Sequence, residues 1–367
     1  MIPGIVPFGG VSVSVKMYIT ICYSASHMLL EFHPEGSYML TKRQNLLETI
    51  RGGRPDRFVN QFEAFHLLSD PYTRHNADPV YGELNKVNDW GITFSWPEGT
   101  PGVFPVHTPD RIVVKDIRYW KDYVKAPKVK FSDRDWEPFI KEAEAVDRRD
   151  QYVTALVAPG LFEQCHNLCE IQQTLTNLLL EREHMLDLIK YLTEFELALA
   201  DELCSHLRPD AVFHHDDWGS QKSTFMSGAM FDDFFLGPYK EIYGFYKTHG
   251  VELVVHHSDS YAATLVPQMI GMGIDIWQGP MSSNNLPELI SKYGGRISFM
   301  GGIDSARVDF PGWTRNIIAE EVKRACDANG RLFYIPNTTQ GMPESTYNGV
   351  YEALTEEIDK YSAVVFQ

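Results

Sequence analysis

The stretch "VELVVHHSDSYAATLVPQMIGMGIDIWQG", residues 251–279, decides the fold. An apolar run (251–257) ends in two histidines, and a polar turn follows it. Residues 260–272 then carry apolar side chains at helical spacing, and "GIDIWQG" (273–279) opens a second apolar run. Strand, polar turn, helix and strand in one stretch make a crossover unit, and a helical crossover implies parallel strands.

Working outward, the same alternation continues on both sides. Strand patterns are predicted at "RFVNQF" (57–62), 151–159, 210–217, 296–304 and 331–337, with helical patterns over 169–207, 228–249, 286–294 and 314–329. Strands alternating with helices give a parallel sheet with helices packed on it. The ends of successive strands are polar: "HHDDWGSQKS", "HHSDS", "WQG", "GGIDS" and "PNTTQGMP". A (β/α)8 barrel gathers its chemistry at the C-terminal ends of its strands. The expected fold is therefore α/β, a (β/α)8 TIM barrel. No GxGxxG follows the first strand and no GxxxxGK[ST] occurs, so neither nucleotide-binding fold is supported.

"MLTKRQNLLETIRGGRPDR", from Met39, reads as an amphipathic helix capped by Thr41 and stopped at Gly52–Gly53. It makes a cleaner start than the preceding residues, whose apolar stretch is broken by Lys16 and lacks the marks of a signal peptide or a membrane span. Residues 1–38 are expected to be a poorly ordered extension and 39–367 a single barrel domain. Residues 70–150, rich in Pro, Gly and Asn, read as an insertion near the barrel mouth carrying Trp90, Phe94, Trp96 and Phe104.

The formal net charge of −16 argues against nucleic acid and anionic membranes as partners and favours small molecules or a docking protein. The five cysteines are odd in number and irregularly spaced, which does not suit a disulfide framework. Cys165 and Cys169 stand four apart on a predicted helix and could offer two thiols to a metal, but no second pair completes a site. A reduced, cytoplasmic protein is expected, and a homodimer is open.

"TKRQNLLETIRGGRPDR", "DDWGSQKSTFMSGAMFDDFFLGPYKEIYGFYKTHG", "HHSDSYAATLVPQMIGMGIDIWQG" and "GGIDS" together resemble the uroporphyrinogen decarboxylase superfamily, over roughly residues 39–360. The resemblance implies a (β/α)8 barrel and one of two chemistries, tetrapyrrole decarboxylation or corrinoid-dependent methyl transfer. The decarboxylase's arginine-rich stretch is replaced by "FVNQFEAFHLLSD" (58–70), and Gln340 stands where that enzyme has a histidine. The branch that methylates thiols binds zinc through an H-x-C pair and a later cysteine. The corresponding positions here are His256 and Ser258, and the neighbourhood of Thr338–Thr339. Loss of both thiols argues against a thiol acceptor and for harder ligands or acid–base groups.

The resemblance thus implies a methyltransferase of the O-demethylase type. It would move a methyl group from a small donor, a methoxylated aromatic being favoured, to a corrinoid held by a partner protein, with zinc as an optional Lewis acid. A methylamine donor, a decarboxylase-like lyase and a non-catalytic tetrapyrrole binder are the alternatives. The candidate catalytic residues are His257, Asp259, Asp217 and Asp304. Glu163, Trp218, Gln340 and Trp277 are candidates for substrate contact, and His256, His257 and Asp216 for a metal. Side chains alternate along a strand, so only one histidine of each "HH" pair can face the barrel centre.

Overall fold

The computed structural model describes residues 39–100 and 102–367; the expected extension at 1–38 lies outside them. Its main sheet has seven parallel strands: β1 (Phe65–Leu68), β5 (Tyr152–Val157), β6 (Ala211–His215), β7 (Leu253–His257), β8 (Ile276–Gln278), β9 (Ser298–Ile303) and β10 (Tyr334–Thr338). They pair in chain order, β1 to β10, each beside its predecessor. Three short antiparallel strands, β2 (Lys86–Val87), β3 (Thr93–Ser95) and β4 (Phe104–Pro105), form a separate sheet within residues 70–150.

The main sheet curls into part of a barrel, and its two faces are distinct. On the concave face Phe65, Tyr152, Phe213, Val255, Ile276, Met300 and Ile335, one from each strand, join a single apolar cluster. On the convex face Val212, Val254, Trp277 and Phe299 belong to a second cluster shared with the surrounding helices. Burying each large side chain contributes about 1.5–3 kcal/mol, so the period-two pattern holds both layers together.

Among the described residues the sheet has seven strands rather than the expected eight. "RFVNQF" (57–62), predicted as a strand, is irregular, and β1 starts later, at Phe65. Gln61 takes a left-handed backbone conformation (φ 52°), which ends any strand there. The stretch bonds instead to the C-terminal helix, Val350–Val365. The Phe58 amide donates to Ser362 Oγ (2.9 Å), Asn60 Nδ2 to the Thr355 carbonyl (2.8 Å), and Gln61 Nε2 to Thr355 Oγ1 (2.8 Å). Val59 and Phe62 still join the concave cluster, so the segment lines the interior without pairing in the sheet.

The helix predicted from Thr41 spans Lys42–Ile50 and carries a complete capping box between Thr41 and Gln44. Within residues 70–150, Trp90 is buried: its indole donates to the Tyr72 hydroxyl (2.9 Å) and packs edge-on against Phe195, 4.8 Å between centroids. Trp90 therefore anchors this stretch to the long helix Arg182–Leu207. Tyr81, Gly99 and Thr100 of the same stretch line a large cavity.

Candidate metal and catalytic site

The register of β6 and β7 builds the site. His214 pairs with His256 and His215 with His257 along these strands, so each "HH" sends one ring outward and one inward. The inward rings, His215 and His257, stack with centroids 4.4 Å apart and planes at 16°. Asp217, two residues beyond His215, completes a group with ligand atoms of His215, Asp217 and His257 all within 4.8 Å of one another.

Each ring is oriented through Nδ1. His215 Nδ1 donates to Glu163 Oε2 at 2.7 Å, and His257 Nδ1 donates to Gln278 Oε1. A second partner of this kind fixes the tautomer of a ligating histidine and leaves Nε2 to coordinate. The Asp259 amide donates to Asp217 Oδ1 at 2.9 Å, which ties the end of β7 to the residue beyond β6.

The charges of the cluster act on one another at close range. Burial and the neighbouring His215 lower His257 to about 4, so it is neutral and ready to ligate at neutral pH. Burial alone would lower His215 as well, but Glu163 overrides it, with Asp217 and Asp259 adding, and His215 rises to about 10. Burial raises Glu163 and also lifts Asp259, to about 8, with Asp217 adding to the latter.

Glu163 reaches His215 because the start of its helix, Leu161–Cys169, is held from below. Asp216 accepts from the amides of Phe162 (3.1 Å) and Glu163 (2.7 Å), from Trp218 Nε1 (2.8 Å) and from the Tyr239 hydroxyl. Gly160 sits tightly there: a Cβ would come within 2.6 Å of Asp216 Cβ and 2.8 Å of His214 Cε1.

The fold separates the residues anticipated from the sequence into three groups. His257, Asp217, Asp259 and Glu163 meet at the inward cluster. Asp304 and Gln340 line a cavity of about 760 Å3 that Asp259 also borders. His256, Asp216, Trp218 and Trp277 lie fully buried on the other side of the sheet. There His256 Nε2 donates to the Asp216 carbonyl (3.1 Å), and its Nδ1 accepts from Tyr243. Trp218 stacks on His256 at 3.9 Å, and Trp277 Nε1 donates to the Ser258 carbonyl (3.0 Å). The metal grouping of His256, His257 and Asp216 is thus not the one this fold assembles: strand alternation turns His256 away, and Asp216 is engaged by four donors. Cys165 and Cys169 are buried in the helical layer, where burial raises both thiols, Cys169 to about 12.

His215 and Gln278 are the site residues not singled out from the sequence. Their signal was the concave phase shared by Phe213 and His215, by Val255 and His257, and by Ile276 and Gln278.

A methyltransferase from Methanosarcina mazei superposes with a TM-score of 0.60 and 13% identity, covering 88% of this chain and 99% of the other. The two chains share a fold. A chitinase catalytic domain from the fern Peteris ryukyuensis matches at 10% identity with a TM-score of 0.30, over 60% of this chain and 78% of that one. A Rhizomucor miehei chitinase gives 10% identity and 0.32, over 62% and 88%. No family model matches the chain, and no curated protein matches it. Among the described residues no helix is long and apolar enough to cross a membrane.

Proposed function

We propose that this protein is a methyltransferase that moves a methyl group from a small methylated donor to the cobalt of a corrinoid protein. The observation that carries the reading is the inward constellation of His215, Asp217 and His257, with both imidazoles oriented through Nδ1 and a cavity large enough for a small substrate next to it. The shared fold with a methyltransferase and the sequence resemblance support it.

The donor set fits a divalent ion. Two imidazoles and one carboxylate suit zinc and leave positions open for substrate; His257 is already in its neutral, ligating form, whereas on His215 the ion would have to displace the Nε2 proton that Glu163 helps to retain. His215 Nε2, His257 Nε2 and a carboxylate oxygen of Asp217 would hold the ion, which supplies Lewis acidity to the heteroatom that leaves the methyl group. The chain's own residues do the rest. Glu163 and Gln278 keep the two rings in place, and Asp259, hydrogen-bonded to Asp217 and facing the cavity, stands between cluster and substrate. A decarboxylase acting on a polycarboxylate would need cationic partners, and the described residues lining the cavity include no Lys, Arg or His.

The test is spectral. Purified protein is mixed anaerobically with cob(I)alamin or a corrinoid protein, zinc, and a panel of methoxylated aromatics and methylated amines, and methylcobalamin formation is followed. Turnover with one donor class, abolished in His257→Ala and His215→Ala together with their zinc content, is the expected result. No methylation with any donor, with zinc and a corrinoid protein supplied, refutes the reading.

A further inference from the structure

Between the long helix Arg182–Leu207, the helix Leu161–Cys169 and Tyr72 lies a small cavity, with about 10 Å3 open to the centre of a water molecule. Its walls are largely apolar, Val157, Leu192 and Leu199 among them, but Tyr72, Gln164 and Glu196 bring polar groups to it. We propose that this cavity is the binding site of a single structural water, held by the Tyr72 hydroxyl, the Gln164 amide and the Glu196 carboxylate. The proposal is independent of the reaction assigned above.

Three observations carry it. First, each of the three residues has hydrogen-bonding capacity that no described protein group uses. Gln164 Nε2 is buried without a partner. Glu196 Oε2 accepts from His214 Nε2 (2.9 Å), which leaves Oε1 without a donor among the described residues. The Tyr72 hydroxyl accepts from Trp90 Nε1 (2.9 Å) and still has its own hydrogen to give. Second, Tyr72, Gln164 and Glu196 are only 6%, 5% and 5% exposed, so bulk solvent does not serve these groups, and a buried polar group left unpaired is costly. Third, burial, with Asp70, Asp89 and Glu196 adding, raises Tyr72 to about 12, so its hydroxyl keeps the hydrogen it donates.

Water fits this set in number and in sense. It accepts from the Tyr72 hydroxyl and Gln164 Nε2 and donates to Glu196 Oε1, and a buried water keeps about two to four such partners. Gln164 serves in either amide orientation, because water donates to an amide oxygen as readily as it accepts from the nitrogen. An organic ligand needs about 300 Å3 or more, and a hard metal ion needs more oxygens than these three side chains bring together. The bound water joins residues 70–150, the helix Leu161–Cys169 and the helix Arg182–Leu207 at one point. It also extends the buried Glu196–His214 pair to Gln164, the neighbour of Glu163 in the chain.

A crystal structure of the full-length protein, at a resolution that shows ordered water, tests the site directly. The expected result is one fully occupied water in the cavity, about 2.7–3.2 Å from Tyr72 Oη, the Gln164 amide and Glu196 Oε1. Oxygen-17 relaxation dispersion counts long-lived buried waters in solution. The double variant Tyr72→Phe, Gln164→Met leaves one partner of the three, and it should lose one water from that count and the matching density from its crystal structure. Methionine matches glutamine in length and phenylalanine lacks only the hydroxyl of tyrosine, so the apolar packing is retained. An empty cavity in the wild-type crystal, or a water there that does not contact both Gln164 and Glu196, overturns the proposal. So does a folded double variant that keeps the water at full occupancy. If the double variant does not fold, the wild-type structure decides alone.

Discussion

Replacing Asp216 by alanine removes the acceptor on which the start of the helix Leu161–Cys169 rests. Four donors lose their partner: the amides of Phe162 and Glu163, Trp218 Nε1 and the Tyr239 hydroxyl. Asp216, Trp218 and Tyr239 are completely buried, so water cannot replace the carboxylate without opening the packing. Burial, with Glu163 adding, lifts Asp216 to about 7, so the carboxylate is only partly ionised at neutral pH. A neutral hydrogen bond contributes about 1 kcal/mol and one to a charge about 1.5–3. Four bonds nearer the neutral end give an expected loss of about 4–6 kcal/mol. Asp216→Asn keeps one acceptor oxygen and should lose roughly half of that. Urea unfolding followed by tryptophan fluorescence measures both, and hydrogen exchange at the Phe162 and Glu163 amides reports the helix start directly. A loss below about 1 kcal/mol in the alanine variant, with exchange there unchanged, refutes the assignment of this carboxylate as the support beneath Glu163.

Further expectations follow from the same neighbourhood. Gly160→Ala drives a methyl group against Asp216, His214 and Tyr239 and should destabilise by about 3 kcal/mol, measured by the same unfolding assay. Glu196 and His214 form a buried pair at 2.9 Å, so Glu196→Ala leaves a buried imidazole without its partner at a cost of about 3 kcal/mol, and Glu196→Gln should recover most of it. Burial, with His107 adding, depresses His166 to about 4, so the folded state favours its neutral form. The corresponding stability, up to about 3 kcal/mol, is complete above pH ~6.5 and is lost as pH falls toward 4. His166→Gln should flatten that part of the stability–pH curve, and an unchanged slope counts against the assignment. Zinc content by elemental analysis should fall in His215→Ala and His257→Ala but persist in His256→Ala, whose ring is on the far side of the sheet; loss of zinc in His256→Ala with the fold intact contradicts the site.

Periods of two and of 3.6 are local properties of a chain, and residues 251–279 displayed both without reference to anything distant. The order of strands and helices, the helix from Thr41 and the polar strand ends at His215, His257 and Asp304 were therefore legible in the sequence. Alternation also announced that each "HH" pair must divide, but it left open which ring faces inward. That phase depends on which side of the sheet the helices cover, and the pairing of His215 with His257 and the closing of Gln278 over His257 exist only once β6, β7 and β8 lie side by side. The segment 57–62 looks like a strand because its apolar residues do face the interior, yet its amides and side-chain amides find partners on a helix nearly three hundred residues away in the chain. The separation of Asp216 from Asp217, one supporting a helix and the other facing the cluster, follows likewise from what packs on either side of the sheet. Local pattern sets what each segment can become; hydrogen-bond and charge partners, drawn from distant segments, decide what each polar residue does.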